Sequence, residues 1–145
     1  MNVFSEAEKK RITNAIHAAE LNTSGEIKLH VEERCPLDNP LDRAVEVFHF
    51  LSLDHTALRN GVLFYLSFRD RQFAILGDSG INEKAGASFW DKEKALLYEY
   101  LHTGNTVEGL CLAIEMVGSS LKEHFPYQSD DINEISNDIS FGKTK

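Results

Sequence analysis

Two short stretches of the chain concentrate the oxygen ligands that hard cations favour. Gly77-Asp78-Ser79-Gly80-Ile81-Asn82-Glu83 is bracketed by glycines, and Ser129-Asp130-Asp131-Ile132-Asn133-Glu134 is dense in carboxylate and amide groups. Ca²⁺ and Mg²⁺ are held by several such oxygens converging from adaptable backbone. Neither stretch is an EF-hand loop. The position that should carry a bidentate glutamate is Phe89 when counted from Asp78 and Gly142 when counted from Asp131. Asp, Asn and Gly are also ordinary turn formers, so spacing alone leaves a plain turn as an equal alternative.

Other chemistries lack their signatures. The chain has no Gly-x-Ser-x-Gly elbow, no His-Glu-x-x-His, no Walker loop, no Gly-x-Gly-x-x-Gly and no Cys-x-x-Cys. The six histidines share no spacing, and none is expected to be catalytic. His30 is expected to face solvent, while His102 and His124 fall at helix ends, where they suit the helix dipole. Two cysteines, Cys35 and Cys111, are too few for a disulfide framework and read as free thiols of a reducing compartment.

The elements that must position these residues belong to one domain. A chain of 145 residues with 42% hydrophobic residues and nine phenylalanines can bury a core without staples. Its formal charge of -8 repels phosphate backbones and argues against nucleic acid as a partner. No apolar run is long enough for a membrane span, and the first residues lack the basic-then-apolar pattern of a signal peptide. The expectation is a cytoplasmic protein.

Ser5-Glu6-Ala7-Glu8 is a capping box. It opens a helix over about 6–21 with Ile12, Ala15, Ile16 and Ala19 on one face. Glu26 to Glu32 alternates, which predicts a strand with Ile27, Leu29 and Val31 inward and Lys28, His30 and Glu32 on a wetter face. A helix from Leu41 to about Leu53 should bury Ala44, Val45, Phe48 and Leu51. Val62–Phe68 is apolar on both faces and reads as a central strand. Arg69-Asp70-Arg71 then turns into an antiparallel Gln72–Leu76, and Gly77–Gly80 ends that strand in a turn. Helices over about Ser88–Leu101 and from a Thr106 cap to about Phe125 follow. Asp138–Gly142 reads as a short added edge strand after a polar acidic loop. Strand, helix and strand imply a right-handed crossover. The expected fold is α/β: a three-layer αβα sandwich, with a mixed sheet of about four strands and helices on both faces. Residues 4–125 form its core, and 126–145 hold the acidic loop and the edge strand.

This topology places the end of the third strand, at Asp78, on the same sheet edge as the start of the first, at Glu26. Two carboxylates brought to one edge repel unless a cation or a proton intervenes. Arg69 and Arg71 belong to the opposite edge, which leaves Lys84 as the nearby cation.

The ordered set Thr23-Ser24-Gly25-Glu26-Ile27, Asn60-Gly61-Val62-Leu63-Phe64-Tyr65-Leu66, Asp70-Arg71 and Ile75-Leu76-Gly77-Asp78-Ser79-Gly80-Ile81 resembles the TPM domain family. The stretch Thr103-Gly104-Asn105-Thr106-Val107-Glu108-Gly109-Leu110 is similar to that family's glycine-containing link into its last helix. The resemblance implies an αβα sandwich, divalent-cation binding and, in some members, phosphatase activity. On matching positions it points to Glu26, Asp78 and Asp91. The chain departs from the family pattern at Asn105, where an aspartate is usual, and at Asp78-Ser79, where the pair between the glycines usually includes an aromatic. It also lacks the common membrane anchor. Asp130, Asp131 and Glu134 enter the candidate site from their chemistry alone. The expectation is a Ca²⁺- or Mg²⁺-binding domain with a metal-responsive regulatory or interaction role. Its protein partner is unknown, and metal-dependent acid phosphatase activity is the alternative.

Overall fold

The computed structural model describes residues 3–86, 88–127 and 139–142. These form five α-helices and a four-stranded sheet. The elements run α1 (Glu6–Glu20), β1 (Glu26–Glu32), α2 (Pro40–Phe50), a 3₁₀ turn (Leu53–His55), β2 (Gly61–Ser67), β3 (Gln72–Gly77), α3 (Ser79–Ala85), α4 (Asp91–His102), α5 (Thr106–Lys122) and β4 (Ser140–Phe141). The sheet order is β3-β2-β1-β4. β1 is parallel to β2 in the register Glu26↔Gly61 to Glu32↔Ser67, and β2 is antiparallel to β3. β4 adds in parallel to β1 at His30 and Val31, within the expected Asp138–Gly142 stretch.

Helices cover both faces, as an αβα sandwich requires. On one side Ile12, Ile16 and Ala19 of α1, Leu110, Ile114, Val117 and Leu121 of α5, and Leu97 and Leu101 of α4 pack on Ile27, Leu29, Val31, Phe64 and Leu66. On the other, Ala44, Val47 and Phe48 of α2 and Leu53 meet Leu63, Tyr65 and Ala74. β2 is buried along its whole length, because successive side chains feed the two cores alternately.

Local signals explain most boundaries. Ser5 accepts from the Glu8 amide at 3.1 Å while Glu8 accepts from the Ser5 amide at 2.8 Å, closing the capping box. Asn39 caps α2, with Pro40 in the first turn, where its missing N–H costs nothing.

Five expectations need correction. The Gly77–Gly80 turn is the entry to a short helix, α3, with Asp78 as its N-cap. α4 begins at Asp91, and Asn105, rather than Thr106, caps α5. α2 buries Val47 and leaves Val45 41% exposed, because the stripe of the helix that faces the sheet follows Ala44, Val47 and Phe48. The expected wetter face of β1 is buried: Lys28 is 6% exposed, His30 5% and Glu32 0%. There α2, Tyr65 and β4 supply His30 and Glu32 with polar partners in place of water.

Candidate functional site

The N-terminal end of β1, the C-terminal end of β3 and the loops beside them form one sheet edge. The amide of Asp78 donates to the carbonyl of Gly61 at 2.9 Å, and Gly61 is the register partner of Glu26. Glu26 and Asp78 therefore share the edge, as the topology implied. They stand two strands apart, roughly 10 Å at the usual strand spacing.

Asp78 is 7% exposed and its charge is compensated. Arg59 donates to it through Nε at 2.7 Å and Nη2 at 2.9 Å, a bidentate pair, and the Ser79 amide donates at 2.8 Å. The neighbouring cation expected from sequence was Lys84; its Nζ instead donates to the carbonyl of His124 at 3.3 Å. Arg59 escaped notice because nothing in the chain pairs positions 19 apart. Only the return of β3 beside β2 brings them together.

Glu26, 4% exposed, lies against Glu20 at the end of α1 instead of Asp78. Glu20 accepts from the Ile27 amide at 2.8 Å. Its carboxyl is pushed up to about 8, first by burial and then by the charge and hydrogen bond of Glu26. The carboxyl group that meets Glu26 at this edge is therefore that of Glu20. The short connection from α1 to β1 folds the helix end back over the strand start, and sequence spacing alone does not show that return.

Asp91 is exposed at the first turn of α4. It follows Trp90, whose indole packs so closely on Gly77 that a Cβ there would lie 3.1 Å from Nε1. Asp91 therefore belongs to the same end of the sheet without touching Asp78 in any recorded hydrogen bond. Asp130, Asp131 and Glu134 lie outside the described residues. Phe125 and Pro126, which precede them in sequence, lie at this edge. Thr23 pairs with Pro126 in an isolated bridge, and the Ser24 amide donates to the carbonyl of Phe125 at 2.9 Å. Asn60 and Ser24 add an amide and a hydroxyl, linked at 3.4 Å. Among the described residues no three His, Cys, Asp or Glu side chains converge as a metal-binding group, and no helix is long and apolar enough to cross a membrane.

The comparisons agree with this architecture. The solution structure of the BA42 protein from the psychrophilic bacterium Bizionia argentinensis superposes with a TM-score of 0.91, at 42% identity over 97% of both chains. The N-terminal domain of the cg2496 protein from Corynebacterium glutamicum matches with a TM-score of 0.67 at 13% identity, over 100% of this chain and 82% of that one, and shows the fold alone. No curated protein matches the chain. The model of the TPM domain matches residues 1–120, and on that match and the shared fold the chain belongs to the TPM domain family.

Proposed function

We propose that this domain binds a divalent cation, Ca²⁺ or Mg²⁺, at the sheet edge that carries Glu26, with Asp130, Asp131 and Glu134 as further ligands, and that occupancy serves a regulatory or interaction role. The observation that supports the reading is the position of Pro126. The Thr23–Pro126 bridge brings the chain to the edge a few residues before Asp130, Asp131 and Glu134. Glu26 already stands there, with Ser24 and Asn60 beside it. The donor set is all oxygen, which suits a hard cation. Asp78, neutralised by Arg59, shapes the edge by capping α3, and Asp91 supplies outer charge.

The test is a calcium and a magnesium titration followed by amide NMR shifts and thermal melts. Shifts should cluster at 24–27, 60–61 and 126–134. A ligand bound only to the native state adds about 2.7 kcal/mol at a hundredfold excess over Kd. Glu26→Gln or Asp131→Asn should blunt the rise in Tm. A diffuse acidic surface predicts instead a small shift that ~0.15 M salt screens away and that no single substitution removes. A flat melting curve across millimolar calcium would overturn the proposal.

Metal-dependent phosphomonoester hydrolysis is the second reading, and Arg59 is the observation that favours it, since it places a guanidinium at this edge. Both of its bonded nitrogens are engaged by Asp78, however, so a phosphate would have to displace a carboxylate. Turnover of an aryl phosphate should accordingly fall well below ~1 s⁻¹. Faster turnover, abolished by chelator and by Arg59→Ala, would promote this reading.

A further inference from the structure

The other end of β1 carries a second constellation, distant from the cation edge. His30 and Glu32 point to the α2 side of the sheet, and β4 closes over them. The Oγ of Ser140 lies 2.8 Å from Nδ1 of His30, and Nε2 of His30 lies 3.2 Å from Oε2 of Glu32. Glu32 also accepts from Nε and Nη2 of Arg43, at 3.0 and 2.6 Å, and from the Tyr65 hydroxyl at 2.7 Å. Four donated hydrogen bonds and the guanidinium charge hold this buried carboxyl below its usual range, despite the opposing effect of burial. The Tyr65 ring stacks on the imidazole, 18° from parallel.

The proton positions follow from these partners. An ionised carboxylate only accepts, so Nε2 of His30 carries a hydrogen towards Glu32. Burial lowers the imidazole pKa and keeps it neutral, leaving a lone pair on Nδ1. The Ser140 hydroxyl must then donate to it. A hydroxyl aimed at a neutral imidazole, which is itself oriented by a buried carboxylate, is the arrangement that activates a serine nucleophile. The two ring nitrogens have exchanged their usual roles here, but the relay is unaltered. Gly142 passes so close that a Cβ would lie 2.8 Å from both Nε2 of His30 and Cγ of Glu32, so the chain crosses the His30–Glu32 bond here as glycine.

A cavity of about 520 Å³ opens onto this relay, lined among others by His30, Glu32, Arg43, Phe50, Ser140 and Phe141. Half-buried Ser140 is reachable from it. Arg43 lines the cavity with its guanidinium fully engaged, Nε and Nη2 by Glu32 and Nη1 by Glu46 at 3.1 Å, and Phe50 and Phe141 give the cavity an apolar wall.

We propose that Ser140, His30 and Glu32 form an acyl-transfer site that hydrolyses small carboxylic esters. Ser140 Oγ attacks the ester carbonyl while its proton passes to Nδ1 of His30. The C–O bond to the alcohol then breaks, and the alkoxide leaves with that proton. Water attacks the acyl-serine in turn, gives a proton to His30, and releases the carboxylic acid as Oγ recovers its hydrogen. The apolar wall takes a short acyl chain.

The site does not depend on the cation. Glu26 and Glu32 are six rises of extended strand apart, roughly 20 Å, so the test is run with chelator present. The full chain is treated with a fluorophosphonate, and the adduct is mapped by peptide mass spectrometry. p-Nitrophenyl butyrate hydrolysis is followed in parallel, with amide NMR spectra confirming that each variant is folded. The expected result is an adduct on Ser140 in the wild-type chain, its loss in Ser140→Ala, and a fall of about 100-fold or more in labelling and hydrolysis rates in His30→Gln. Absence of a Ser140 adduct in the wild-type chain overturns the proposal. So does an adduct that forms as fast in His30→Gln, because the same hydrogen bonds would then serve only to fasten β4.

Discussion

Glu20 and Glu26 show how a single contact converts a generic acidic residue into one with a measurable signature. The Glu20 carboxyl keeps its proton to about pH 8 in the folded chain, against 4.5 as the ordinary value. Between those values the unfolded chain has released the proton and the native chain has not. The contribution of this group to stability is therefore fully present below about 4.5, declines as pH rises, and is lost once pH passes the folded pKa. In chelator, the urea midpoint of the wild-type chain should fall across this window. Glu20→Gln, which cannot ionise and still accepts from Ile27, should lose much of that slope. Parallel pH profiles for the two chains would show that Glu20 is not held beside Glu26. At the same scale, the oxygen-rich stretches, Glu26 and Asp78 are legible from residue type and strand order. Glu20 and Arg59 are not, since neither stands at a spacing that a helix or strand period would bring to its partner.

The elements are held by close approaches as well as by hydrophobic area. α1 and α5 pack side by side on the sheet, and a Cβ at Gly118 would meet the Cβ of Ala19 at 2.7 Å and its Cα at 2.9 Å. Glycine inside a helix ordinarily costs about 1 kcal/mol relative to alanine, so Gly118→Ala would stabilise a free-standing α5. In this packed pair the added methyl must push two backbones apart, and overpacking typically costs about 1–3 kcal/mol. A net loss of stability in urea denaturation, on the order of 1 kcal/mol, is expected. A stabilised Gly118→Ala would mean that the helices lie farther apart. The same competition explains the element missed at Gly77–Gly80. Its glycines and short polar residues are turn signals, yet Asp78 at an N-cap is also a helix signal. The helix prevails because Ile81 is fully buried in the main core and Asp78 is fixed by Arg59.

Across the whole molecule, β2 is the partition between two cores, and its fully buried side chains make it the position where one charge does most harm. Leu66 is 1% exposed, packed among residues of the α1–α5 side. Leu66→Asp should cost about 4 kcal/mol by burying an unpaired charge, read as a large drop in Tm or loss of the folded NMR spectrum. A variant that melts like the parent would contradict the central position of β2. That position is already written in the uninterrupted apolar run Val62–Phe68, and the amphipathic periods of α1 and α5 likewise dictate which faces turn inward. The sandwich follows from such local patterns, because burial of apolar faces is a property each segment carries by itself. The polar interior of β1 is different. Lys28, His30 and Glu32 alternate as solvent-facing residues would, and the arrival of Arg43, Tyr65 and Ser140 from three other elements makes the burial of His30 and Glu32 tolerable. Period-two alternation reports which side of a strand a residue occupies. Whether that side meets water or a hydrogen-bonded partner is decided by what the rest of the chain lays over it.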